Sequence, residues 1–165
     1  MQKSVGNTAA TVSPQELRTE KLRALAHGSP TTAQTGTALR DAIGLMQQAR
    51  GESLIVVRDG RPVGILTERD VLIKVLGQDV DLDGPVDEQM TRDPQTISAD
   101  ARVGEALAVM RRGGFRNLPL VDGHGRVAGI LRQQDVLEYV AEAFPQEILN
   151  LPPRPHQQME EPEGA

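Results

Sequence analysis

The 165-residue sequence has no cysteine. That excludes disulfides, thiolate metal sites and a cysteine nucleophile, and it fits a reducing compartment such as the cytoplasm. Aromatics are almost missing too, at 2% of the chain, with one Tyr, two Phe and no Trp. The core must therefore be aliphatic, and the stacking platforms that hold single-stranded nucleic acid are not there. No basic excess compensates, because the formal net charge is -5; a nucleic-acid partner is not expected. Apolar runs are short, Leu54 to Val57 being typical, so no membrane span or membrane partner is expected. Met1 to Val12 is polar and lacks the apolar stretch of a signal peptide. His27, His124 and His156 are scattered, with no spacing that would place two on one metal. Gly-x-Ser-x-Gly, Gly-x-Gly-x-x-Gly and the Walker loop are all absent. The chain carries no catalytic constellation, so an enzyme is not expected, nor any required cofactor.

What is present is a repeat. Gly64-Ile65-Leu66-Thr67-Glu68-Arg69-Asp70-Val71-Leu72 returns as Gly129-Ile130-Leu131-Arg132-Gln133-Gln134-Asp135-Val136-Leu137. Internal repetition fixes the architecture before any local detail. Each copy reads as a buried strand turning sharply into a helix. Upstream, Leu39, Ala42, Ile43 and Met46 lie on one helical face, as do Val103, Ala106, Leu107 and Met110. The spacing predicts helices over 38–49 and 102–112, ended by Arg50-Gly51 and Gly113-Gly114, with glycine supplying the left-handed cap. Each is followed by a hairpin, through Arg58-Asp59-Gly60-Arg61 and through Asp122-Gly123-His124-Gly125. Met46 and Met110 are 64 positions apart, but Gly64 and Gly129 are 65 apart. The extra residue belongs in the second hairpin loop, where an insertion is tolerated. Second helices follow over 68–76 and 133–143.

The flanks read differently. Residues 1–12 are small, polar and expected to be disordered. Ser13, Pro14 and Glu16 combine a cap, a first-turn proline and a capping-box partner, which predicts a helix over 14–26 within segment 13–27. Leu17, Leu22 and Leu25 would give it a modest apolar stripe. One repeat spans 28–77 and the other 89–144, joined by an acidic linker over 78–88 with Asp79, Asp81, Asp83 and Asp87. Residues 145–165 are rich in Pro, Gln and Glu and are expected to form a disordered tail.

Thr67 and Asp70 open the second helix of the first copy, and physics supports two roles. Thr-x-x-Asp before an apolar run is a capping box that needs no ligand. The same turn exposes backbone N–H groups and a positive dipole end that suit an anion. In the second copy Arg132 replaces the threonine, and its guanidinium could meet a phosphate, fill the cleft or pair with a nearby acid.

Two strand-helix-strand-strand-helix units, each ending in Gly-Ile-Leu-x-x-x-Asp, resemble the cystathionine-β-synthase (CBS) domain pair. The resemblance covers about residues 27–142. Met90-Thr91-Arg92-Asp93-Pro94 and Phe115-Arg116-Asn117-Leu118-Pro119-Leu120-Val121-Asp122 support it. It implies an α+β fold, with two tandem β-α-β-β-α repeats packed sheet to sheet about a pseudo-twofold axis. It further implies a regulatory module that binds AMP, ADP, ATP or S-adenosylmethionine between the repeats, forms a homodimer and acts on a separate effector protein. A ligandless dimerisation scaffold is the alternative. Carried over by position, the preferred site takes Thr67, Arg69 and Asp70, with Asp70 accepting from the ribose hydroxyls. Thr32 and Ala33, with Ser53, Leu54 and Ile55, complete that site. A second, altered site takes Arg132 and Asp135, with Thr96, Ile97, Arg116, Asn117, Leu118 and Pro119. The two sites are not expected to be equivalent.

Overall fold

The computed structural model describes residues 20–25 and 29–143. It contains two sheets, each crossed by the helices of its own repeat. The first runs β1 (Thr32–Gln34), β2 (Ser53–Arg58), β3 (Arg61–Thr67) and β4 (Thr91–Arg92), in that spatial order. The second runs β5 (Ile97–Ser98), β6 (Asn117–Val121) and β7 (Val127–Arg132). Within each, the first pairing is parallel and the hairpin antiparallel. A parallel pair needs a crossover, supplied by α1 (Leu39–Ala49) and α3 (Val103–Gly113).

These helices bury the face expected of their spacing: Leu39, Ala42 and Met46 on α1, and Val103, Ala106 and Met110 on α3. Their ends differ from expectation in one respect. Gly114 takes the left-handed cap after α3, at φ 65°, but after α1 that conformation falls on Arg50, at φ 50°, and not on Gly51. Burial of Leu39, Ala42 and Met46 fixes where the helix must stop, and Arg50 absorbs the strain. Asp59 and Gly60, at φ 52° and 77°, turn the first hairpin, while 122–126 form the longer second loop and hold the inserted residue. The two loops meet, Val127 N–H donating to the Gly60 carbonyl at 2.9 Å.

The second helices diverge from each other. α4 (Gln133–Ala143) is regular. In the first repeat only Glu68–Asp70 (α2) is α-helical; Val71–Val75 then forms a π-helical turn, closed by Leu76 N–H to the Val71 carbonyl at 2.9 Å. The uniform helix expected over 68–76 is thus corrected. Val71, Leu72, Ile73, Val75 and Leu76 are apolar on every side, so their pattern does not register a one-residue slip.

Each repeat has its own core, and each core is completed by the segment that precedes the other repeat. Leu22 and Leu25, both wholly buried, belong to the second core with Leu118, Leu120 and Leu131. Val86, also wholly buried, and Met90 belong to the first, with Leu54, Val56 and Leu66. The backbone repeats this exchange. Leu22 N–H donates to the Ala101 carbonyl at 3.0 Å, as Val86 N–H donates to Thr37 at 2.8 Å. Val103 N–H donates to Glu20 and Leu39 N–H to Gly84, both at 2.9 Å. Met90 lies over Gly64, where a Cβ would overlap its sulfur, so the repeated glycine is a packing requirement.

Of the helix expected over 14–26, residues 14–19 and 26 lie outside the described residues. Residues 20–25 are not α-helical: Lys21 bridges to Arg102, and Leu22–Ala24 form a single 3-10 turn. The tertiary contacts of Leu22 and Leu25 hold this short stretch, and the capping signals at Ser13, Pro14 and Glu16 lie outside the described residues. The expectations for 1–12 and for the tail over 145–165 also lie outside the described residues. Among the described residues no helix is long and apolar enough to cross a membrane.

Candidate functional site

Thr67 ends β3 and caps α2, so the strand-to-helix corner fixes its hydroxyl and the Asp70 carboxylate face to face. The capping box is complete. Thr67 Oγ1 accepts from the Asp70 amide at 3.2 Å, and the Thr67 amide donates to Asp70 Oδ2 at 3.0 Å. The Thr67 hydroxyl also donates to Oδ2 at 2.6 Å. The other oxygen, Oδ1, meets the Lys74 ammonium at 2.7 Å. Burial pushes the Asp70 carboxyl up, but Lys74 and the Thr67 hydroxyl and amide more than offset this and hold it below its ordinary 3.8. Asp70 is thus an anion held in one orientation, with one lone pair, on Oδ1, still open.

The sign for stability follows. The folded value lies below the unfolded one, so the contribution of Asp70 is complete above pH 3.8 and is lost as pH falls through the lower folded value. Asp70→Asn removes it. Thermal unfolding of both proteins from pH 6 to pH 3 is expected to show a gap that is constant at the upper end and closes in acid; a gap that widens in acid contradicts the assignment.

Thr67, Arg69 and Asp70 line a cavity of about 960 Å³ between the repeats. Thr91 on β4, beside β3, and Asp93 to Gln95 line one edge, and Phe115, Arg116, Asn117 and Pro119 of the second repeat form the opposite wall. The volume is that of a small-molecule site. Asn117 Oδ1 is buried at this wall without a hydrogen-bond partner. Asp93 adopts φ 48°, a left-handed conformation held by its amide on the Val63 carbonyl at 3.1 Å. Strain of this kind concentrates at working sites.

The cavity gathers residues from both expected groups. Thr67, Arg69 and Asp70 come from the first, and Arg116, Asn117 and Pro119 from the second. It does not include Thr32, Ala33, Ser53, Leu54 or Ile55. Thr32 is exposed on β1, and the other four are buried in the first repeat. Thr96, Ile97 and Leu118 do not line it either, Leu118 being wholly buried in the second core. The physical reason is the pseudo-twofold arrangement: the corner of one repeat faces the strand start of the other. Ser53 pairs with Thr67 in the sheet but is itself buried, and Glu52 before it lines the cavity. Asp93, Pro94, Gln95 and Phe115 had no role in the sequence-based site, although Met90 to Pro94 and Phe115 to Asp122 carry the family resemblance.

The equivalent corner of the second repeat is built otherwise. Arg132 Nε donates to both oxygens of Asp135, at 3.0 and 3.2 Å, and its Nη2 lies 2.7 Å from Oδ1. The Arg132 amide donates to Oδ2 at 2.8 Å. The Asp135 carboxylate raises the already high value of the guanidinium, and the Asp135 side chain is 1% exposed. Here the carboxylate is satisfied by a cation from its own strand end.

A family profile described as the CBS domain matches residues 22–77 and again 84–142. An uncharacterised protein of Methanopyrus kandleri is 37% identical over 112 residues, covering 67% of this chain and 55% of its own. The chain thus spans about half the length of that curated relative. Among solved structures, a CBS domain protein from Pyrobaculum aerophilum complexed with AMP superimposes with a TM-score of 0.67 at 24% identity, covering 74% of this chain and 98% of that one. A CBS domain pair in complex with 5′-methylthioadenosine and S-adenosyl-L-methionine gives a TM-score of 0.66 at 26% identity, over 73% of this chain and 98% of that one.

Proposed function

The chain belongs to the CBS-domain family as a tandem pair, and from that premise we propose that it is a regulatory module that binds an adenine nucleotide or S-adenosylmethionine in the cleft of Thr67, Asp70 and Arg116. The observation that carries this reading is the composition of the cleft. A fixed anionic acceptor, Asp70, shares a cavity that both repeats line with Arg69 beside it and Arg116 from the second repeat, among the further carboxylates Glu52, Glu68 and Asp93. The carboxylate suits a vicinal diol of ribose, which donates two hydrogen bonds. The guanidinium groups suit a phosphate or carboxylate at the other end of the ligand. The pair structure that holds 5′-methylthioadenosine and S-adenosyl-L-methionine supports an adenosine-containing ligand. Because the ligand touches both repeats, it favours one of their relative arrangements, and that bias is the signal. Action in the cytoplasm, through a separate effector protein, belongs to the same reading.

Calorimetry with AMP, ADP, ATP, S-adenosylmethionine and NAD tests it. Binding of at least one in the micromolar range, at one molecule per chain, is expected. Failure of all of them below the millimolar range would leave a ligandless scaffold, a reading favoured by the capping box that Thr67 and Asp70 complete on their own.

Arg132→Thr is expected to raise the stoichiometry from one to two. It removes the guanidinium from Asp135 and restores the hydroxyl found at Thr67. A variant that folds yet still binds one molecule means that more than Arg132 closes the second cleft.

The homodimer is part of the proposal. Leu72, Ile73 and Leu76 are about 60% exposed beside a groove of about 540 Å³ lined by Ile43, Met46 and Val71. Adjacent exposed aliphatic side chains of this kind mark a protein contact. Leu76→Glu is expected to convert the sedimenting species from dimer to monomer with the circular dichroism unchanged; a dimer that persists places the contact elsewhere.

A further inference from the structure

Lys74 stands where three parts of the molecule meet. It lies on the π-helical turn, four residues after Asp70. Its Nζ is 2.7 Å from Asp70 Oδ1 and 3.0 Å from the carbonyl oxygen of Gln89. Gln89 directly follows the inter-repeat linker. The next residue, Met90, packs over Gly64, and Thr91 after it lines the cleft. One ammonium thus ties the ligand-facing carboxylate to the segment that leads into β4, the edge strand paired with β3.

The linker has a second attachment. Its Gly84 and Leu82 carbonyls accept from the first two amides of α1, those of Leu39 and Arg40, each at 2.9 Å. α1 carries Ile43 and Met46, which line the apolar groove together with Val71 and Leu72 of the π-helical turn. Leu72 also lines the nucleotide cleft. A displacement at Lys74 therefore reaches the groove from both sides, through the turn itself and through the linker into α1. The second repeat lacks this device. The position equivalent to Lys74 is Tyr139, and the cation on Asp135 comes from Arg132, which precedes it on β7.

We propose that Lys74 is the coupling residue of the molecule, passing occupancy of the first cleft to the linker and the apolar groove. It is a positioning residue, since it acts through Asp70 and Gln89. A ligand hydroxyl drawing on Asp70 weakens its hold on Lys74, and the hold of Lys74 on Gln89 changes with it. Such a link is energetic only if a change at one end is felt at the other.

This rests on the nucleotide reading of the cleft, so the test separates the two. Hydrogen exchange of the full chain without ligand comes first. Lys74→Met keeps the aliphatic stem and removes the ammonium. It is expected to speed exchange over 86–91 about tenfold, the loss of one charge-assisted hydrogen bond. Asp70→Asn is expected to speed the same segment several-fold, although Asp70 does not bond to it. If Asp70→Asn leaves 86–91 unchanged, the coupling is overturned, whatever the cleft binds. With AMP as probe, the wild type is expected to lose protection over 86–91, in the same sense as Asp70→Asn, and to shift its dimer dissociation constant. Lys74→Met is expected to bind AMP with neither response; both responses persisting overturns the proposal. If AMP fails to bind the wild type, the nucleotide reading loses its support, and the Asp70→Asn comparison still decides the coupling.

Discussion

Asp70→Ala is expected to weaken adenosine-ligand binding by about 10- to 100-fold, the loss of one or two hydrogen bonds to a charged acceptor. The fold should tolerate it. Thr67 Oγ1 keeps its bond to the residue-70 amide, so half of the capping box survives, and the substitution costs about 1 kcal/mol. The expected result is a circular dichroism spectrum like that of the wild type and a calorimetric trace that is nearly flat. Alanine also leaves the Lys74 ammonium without its carboxylate, adding positive charge at the cleft. A ligand held mainly by its phosphates would then bind more tightly. The sign of the change thus separates a ribose acceptor from an electrostatic bystander, and unchanged affinity rules out the ribose role.

Leu22→Ala is expected to cost about 2–5 kcal/mol, the range for a leucine removed from a close-packed core. For a domain of ordinary stability that is a large fraction of the total. Leu22 precedes the first repeat in sequence, yet its side chain belongs to the core of the second, beside Val103, Ala106 and Leu118. Denaturant unfolding measures the loss. Hydrogen exchange locates it, with the larger increase expected in β6 and β7 and not in β2 and β3. A cost under about 1 kcal/mol, with changes confined to 20–25, means that the segment only rests on the surface.

Much of the fold is legible in the sequence because it rests on periodicity. Leu39, Ala42 and Met46 place α1, and Val103, Ala106 and Met110 place α3, within one residue of the expected limits. The offset of 64 before the second hairpin and 65 after it locates the inserted residue. The missed features depend on partners remote in sequence. Ser13, Pro14 and Glu16 signal a helix. The bridge from Lys21 to Arg102 and the burial of Leu22 and Leu25 impose another structure downstream of them. The π-helical turn hides inside a run of apolar residues, where no face is distinguished. At the site, Thr67 and Asp70 are recognisable from their spacing, but their neighbours are not. Arg116 and Asn117 lie nearly fifty positions away and arrive only through the pseudo-twofold packing. The pairing of Arg132 with Asp135, one of the roles open from the sequence, is the arrangement observed.

The exchanged core segments have a consequence for how the protein is made. A ribosome delivers residues 20–25 first, but the core that receives Leu22 and Leu25 ends at Val140. The first repeat, in turn, lacks Val86 and Met90 until the linker has emerged. Neither half can finish folding when its own strands and helices have been synthesised. The earliest residues must wait, unpaired, for the latest ones. A gene cut between the repeats would yield two fragments, each missing the piece that closes its own interior, and mixing the fragments would restore both at once.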